Sequence, residues 1–188
     1  VTGDGATSSH ALGDLSGGFS TGVIMDGICS DLSSLTPYTL ANSGARYANG
    51  GTTINQLIRI DPVTGALTAN IINLSATITM GTNCGIFSGF GRIVIYNGTR
   101  VYDILLPSGL VTDMGAMTRP AWIVPEANSM FGVAEYFSGQ LYLAYRNSST
   151  QAIMRARVPD GTTETISTFT NLSDLASFTV SPANGRWY

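Results

Sequence analysis

The chain has 188 residues, 44% hydrophobic and only 11% charged, against about 25% charged in an average soluble domain. Aromatics at 9% argue against a disordered composition, and no apolar stretch approaches the roughly 18 residues of a transmembrane helix. The formal net charge is −3, with nine arginines, no lysine and no run of like charge, which argues against nucleic acid binding through a basic footprint.

From the N-terminus, residues 1–50 differ in composition from the rest. Val1 to Gly18 is rich in Gly, Ser and Thr and is expected as a flexible or docking segment. Gly22-Val-Ile-Met-Asp26 and Pro37-Tyr-Thr-Leu40 are short strand candidates. Ser30-Asp-Leu-Ser-Ser-Leu35 is either a helical turn capped by Ser30 or a loop. Beyond residue 50, short alternating runs predict strands at Leu57–Ile60, Cys84–Gly89, Arg92–Tyr96, Arg100–Leu105, Phe131–Tyr136, Gln140–Tyr145, Ala152–Val158 and Glu164–Phe169. Asp61-Pro-Val-Thr-Gly65, Asn97-Gly98, Pro107-Ser-Gly109, Pro159-Asp-Gly161 and Asn184-Gly185 supply the turns between strands. No window carries capped helical periodicity. The fold class is all-β.

The hairpins repeat. Gly91-Arg-Ile-Val-Ile-Tyr-Asn97 matches Gly139-Gln-Leu-Tyr-Leu-Ala-Tyr-Arg-Asn147 and the opening of Gly185-Arg-Trp-Tyr188, at separations of 48 and 46 positions. Ile93 and Ile95, and likewise Leu141 and Leu143, are expected on one face of their sheets. A period in the forties with about four strands per unit is the signature of β-propeller blades. Over residues 50–188 the chain resembles secreted bacterial propeller repeats, in which a strand ends in an Asp-Pro-x-Thr-Gly turn like Asp61 to Gly65. The expected organisation is an N-terminal segment at 1–50, able to supply docking or closing strands, followed by propeller-like blades at 51–188 with the last unfinished at Tyr188. An unfinished edge calls for completion by Val23-Ile24-Met25, by a further chain or by more sequence. A β-sandwich is the alternative fold.

Cys29 and Cys84 lack CxxC spacing, which leaves one disulfide or two buried thiols. Asn73, Asn97, Asn147 and Asn171 head Asn-x-Ser/Thr sequons and are glycosylation candidates. A start at Val1 rather than Met fits removal of an export signal. A secreted, extracellular setting is therefore expected, and with it a Cys29–Cys84 bridge.

Little points to catalysis. His10 stands in the polar N-terminal segment without a nucleophile elbow nearby. Glu126, Glu135 and Glu164 are dispersed, whereas glycoside hydrolysis needs two carboxylates about 5–9 Å apart. Asp4, Asp14, Asp26 and Asp31 offer oxygens to calcium, but the D-x-[DN]-x-[DN]-G spacing is missing. No cofactor is expected, and no phosphate-binding loop occurs. Trp122, Tyr136, Tyr145 and Trp187 either pack between blades or form sugar-stacking ligand sites. The expected function is non-enzymatic: a binding or assembly module with multivalent contacts to a glycan or another protein chain, as a homo-oligomer or completed by a further chain. The alternatives are a structural subunit of an extracellular filament or coat, and part of a polysaccharide-active enzyme.

Overall fold

A computed structural model describes residues 29–46, 51–64, 66–81, 84–118, 130–147 and 150–170, and among these every regular element is a strand. The first sheet holds β1 (Cys29–Ser30), β2 (Pro37–Asn42), β3 (Ala45–Arg46), β4 (Thr53–Ile60) and β5 (Leu67–Thr79), in the order β1-β2-β4-β5 with β3 beside β2. This first unit crosses residue 50, because β2 pairs antiparallel with β4, Leu40 opposite Leu57. The second sheet contains two four-stranded antiparallel meanders. One is β6 (Gly85–Gly89), β7 (Arg92–Tyr96), β8 (Arg100–Leu105) and β9 (Leu110–Ala116). The other is β10 (Met130–Phe137), β11 (Gln140–Asn147), β12 (Ala152–Arg157) and β13 (Thr163–Thr168). A short parallel pairing joins them, Gly85–Phe87 of β6 against Met130–Gly132 of β10.

The second and third units open with the same tight turn, and the first unit repeats it between β2 and the short β3, off its main path β1-β2-β4-β5. Ser43-Gly44, Phe90-Gly91 and Ser138-Gly139 all have positive φ at both positions, and they join β2 to β3, β6 to β7 and β10 to β11. Positive φ at both central residues defines the type I′ turn, whose twist matches that of the flanking strands. Gly91 and Gly139 lie 48 positions apart, as the sequence motifs indicate, and the first unit has the same strand order, β1-β2-β4-β5, one unit further toward the N-terminus.

Alternation along the strands builds two cores. Leu40, Ile54, Leu57 and Ile78 of the first unit pack with Ile86, Ile93, Ile95 and Ile104 of the second. On the opposite face of the second unit, Phe87, Val94, Tyr96 and Val101 pack with Ala134, Leu141, Leu143 and Tyr145 of the third. The second unit is thus buried on both sides, which is why Ile93-Val-Ile-Tyr96 is continuously apolar. Each of these large side chains contributes roughly 2 kcal/mol through burial. Ile93 and Ile95 share one face, and Leu141 and Leu143 share the corresponding face, as their spacing predicts. Two cores between three layers differ from the one core of a simple two-sheet sandwich.

Side-chain oxygens tie the turns. Asp61 Oδ1 accepts from the amides of Val63 and Thr64, and Asn97 Oδ1 from those of Thr99 and Arg100. At Ser30–Leu35 the cap is Asp31 rather than Ser30. Its carboxylate takes the amides of Ser33 and Ser34, and the hydroxyl of Ser34 leads in holding it down to about 2.

The expected Cys29–Cys84 bridge is not formed, and both are free thiols. Cys29 lies at the β6–β7 turn, where the amides of Arg92, Gly91 and Gly89 approach its sulfur. Cys84 precedes the other end of β6. Five residues of strand separate those ends by roughly 16 Å, whereas a disulfide needs Cα atoms within about 7 Å. Burial pushes both thiols up.

Candidate functional site

The most unusual chemistry sits where the repeat breaks its own pattern. Counting from the turn glycines, Val94 corresponds to Tyr142 and Tyr96 to Ala144. Val101, opposite Tyr96, corresponds to Arg155, opposite Ala144. Phe87 corresponds to Glu135. The positions that pack as Phe87, Val94 and Val101 in the second unit therefore carry Glu135, Tyr142 and Arg155 in the third.

Arg155 organises this cluster. Its Nη1 donates to Glu135 Oε2 at 3.2 Å, and its Nε donates to Glu164 Oε1. The guanidinium carbon lies 4.3 Å from the centroid of the Tyr142 ring and 5.2 Å from that of Phe137. Glu135 is 4% exposed, whereas Phe137 is 54% exposed. Strand register sets this arrangement, since Glu135 pairs with Tyr142 across β10–β11 and Arg155 with Glu164 across β12–β13. Both carboxylates act as acceptors for one guanidinium, which neutralises part of their charge. The geometry suits recognition through a fixed ring, donor and acceptor set.

A second polar cluster lies between the second and third units. Arg92 of β7 donates to Asp103 Oδ2 of β8, and Tyr136 Oη of β10 donates to the same oxygen at 3.3 Å. The Arg92 guanidinium covers the Tyr136 ring at 4.5 Å. Asp103 is 4% exposed, and its Oδ1 has no hydrogen-bond partner. Burial pushes its carboxyl up, against the opposing pull of Arg92, and burial likewise raises Tyr136. A buried acceptor left unmatched costs about 1–3 kcal/mol.

Of the aromatic candidates, Tyr136 takes part in this interunit cluster. Tyr145 is instead a core residue at 1% exposure, on the phase of β11 shared with Leu141 and Leu143, and burial raises its phenol. Trp122, Trp187, Asn171, His10, Glu126, Asp4, Asp14, Asp26, Val23–Met25 and Gly185 lie outside the described residues. Asn73 is exposed on β5, while Asn97 and Asn147 hold turns. Glu135 and Glu164 meet at Arg155. The carboxylate of Asp31 is occupied by its own turn, and among the described residues no three potential metal ligands cluster.

Sequence motifs do not single out Arg92, Asp103 or Arg155. A signal does exist: Asp103 shares its strand phase with the buried Val101. A charged residue on an inward phase needs a partner, and that partner is the arginine across the sheet. No protein-family model matches the chain, and no curated protein matches its sequence.

Proposed function

We propose that the chain is a non-enzymatic binding module that works outside the cell, its four-stranded units set about an axis in the manner of a β-propeller. The observation that carries this reading is the parallel pairing of β6 with β10. These are the first strands of consecutive units. They run side by side for three paired positions, and each also pairs antiparallel with its own second strand. Radial repetition places first strands in this way, converging at the centre while later strands fan outward. The two interunit cores agree, since each unit buries its faces against its neighbours.

The ligand class is a glycan. Support comes from the Arg155 face, where the exposed Phe137 ring offers an apolar platform and Arg155 and Glu164 offer a donor and an acceptor to hydroxyl groups. Rigid strands hold all three. A glycan array probed with the purified protein, followed by titration of hits, tests this. Binding that Phe137→Ala and Arg155→Met each weaken by about tenfold or more supports the proposal. An array without hits, or hits indifferent to both changes, overturns it.

A further inference from the structure

We infer that Asn73 is the residue of this chain suited to carry an N-linked glycan, and that the glycan shields a sheet edge lacking charge. The assignment rests on the extracellular reading above. Three sequon asparagines fall among the described residues, and their geometries differ. Asn97 is committed on both sides of its amide: Oδ1 accepts from the amides of Thr99 at 3.1 Å and Arg100 at 2.9 Å, and Nδ2 donates to the Thr79 carbonyl at 3.0 Å. Asn147 is 5% exposed, its Nδ2 donates to Met154 Sδ at 3.3 Å, and its Oδ1 accepts from the Thr150 amide. A sugar replaces one of the two Nδ2 hydrogens and has to fit beside these contacts, at the half-buried Asn97 or the buried Asn147. Asn73 is exposed on β5, and only its Oδ1 is engaged, by Gln56 Nε2 at 3.0 Å. Among the described residues its Nδ2 has no partner.

The neighbourhood gives the modification a purpose. β5, β9 and β13 are the last strands of the three units, each at the edge of its sheet. β9 carries Asp113, paired with Arg100, and β13 carries Glu164, paired with Arg155. β5 runs through thirteen residues without a charge or a proline. The Ser75 amide donates to the Gly109 carbonyl at 3.0 Å and Ser75 Oγ accepts from the Val111 amide at 2.8 Å, so the open stretch of β5 lies ahead of Asn73, at the exposed Ala69, Asn70 and Ile71. Exposed uncharged edges invite pairing with other chains, and natural sheets blunt them. A hydrated oligosaccharide at Asn73 does for β5 what charge does for β9 and β13. In the transfer, Nδ2 forms a bond to the anomeric carbon of a lipid-diphosphate-linked oligosaccharide. The bond from that carbon to the diphosphate oxygen breaks, the diphosphate leaves with the electron pair, and Nδ2 releases one proton.

The test expresses the chain behind a secretion signal in a glycosylating eukaryotic host, with Asn171→Gln to remove the fourth sequon. The secreted, folded protein is expected to carry a glycan at Asn73 by peptide mass spectrometry, and Asn73→Gln to abolish it. Unmodified secreted protein, or folded protein glycosylated at Asn97 or Asn147 instead, overturns the assignment. Sedimentation velocity then compares the glycosylated protein with Asn73→Gln. Concentration-dependent association of the variant alone is expected, and identical behaviour overturns the shielding role. Finding the chain only inside its native cells refutes the extracellular reading and leaves the site assignment standing.

Discussion

Phe87 and Glu135 stand in the same place in successive units, four residues before the turn glycine, yet one is a core residue and the other an ion-pair partner. The exchange of a ring for a carboxylate is matched by the exchange of Val101 for Arg155 two strands away. The pair is thus a coordinated departure from the repeat. A buried carboxylate is tolerated only when its charge is answered.

Arg155→Met is expected to destabilise the protein by about 3 kcal/mol, because it strands Glu135 as an uncompensated buried charge. Glu164→Ala, which removes the half-exposed partner of the same arginine, is expected to cost less than about 1 kcal/mol. Urea denaturation of the two variants measures both. Equal losses would show that Arg155 is not held chiefly by Glu135.

Asp103 gives a pH dependence with a definite sign. Its carboxyl is raised in the folded state by burial, so the folded protein binds that proton more readily than the unfolded chain. Ionising Asp103 therefore removes stability as pH rises from the ordinary carboxyl value, about 3.9, through the higher folded value. Asp103→Asn abolishes this loss and leaves Arg92, 28% exposed, able to hydrate. The stability of Asp103→Asn relative to the parent should therefore be greater at about pH 7 than at about pH 4. Urea midpoints at the two values measure it, and a constant or reversed difference contradicts the assignment.

The repeat was legible where backbone geometry constrains the residue. Gly91 and Gly139 announce themselves because a type I′ turn demands positive φ, and the strands beside them alternate clearly. The opening of the first unit was not legible, because its first strand, β1, is only two residues long. β5 and β9 were hidden for a different reason: they are outer strands rich in Thr, Asn, Ser and Asp, and their exposed positions carry little apolar signal. At the site, Tyr136 was legible as an aromatic beside a turn, but its partners Arg92 and Asp103 come from another unit. Their convergence depends on unit stacking, which no local spacing encodes. The cysteine pairing failed similarly, since the length of β6 holds the two sulfurs apart.

The thiols should behave as two free groups of unequal access. Unreduced protein unfolded in denaturant is expected to release two equivalents of a thiol reagent. In the folded state Cys84, half-buried, should react faster than the buried Cys29. Both should react slowly at neutral pH, because burial raises them and keeps the thiolate fraction small. Absence of free thiols in the unreduced chain would restore the bridge, and the described placement of β1 against the β6–β7 turn would then be wrong.

The turn glycines separate backbone strain from packing. Gly91 and Gly139 have φ of 69° and 77°, so alanine at either must adopt a left-handed conformation, at about 1–2 kcal/mol. Their surroundings differ. A Cβ on Gly139 meets nothing within 4 Å, whereas one on Gly91 comes within 3.0 Å of Leu32 Cγ and 3.5 Å of the Leu32 amide. Gly139→Ala should therefore lose only the backbone component, and Gly91→Ala that amount plus the displacement of Leu32. Leu32→Ala removes the clash, so Gly91→Ala in that background should lose no more than Gly139→Ala does alone. A double-mutant cycle by chemical denaturation reads the coupling directly. If Gly91→Ala and Gly139→Ala cost the same and Leu32→Ala changes neither, the β1–β2 turn does not rest on the β6–β7 hairpin, and the packing of the first unit against the second must be redrawn.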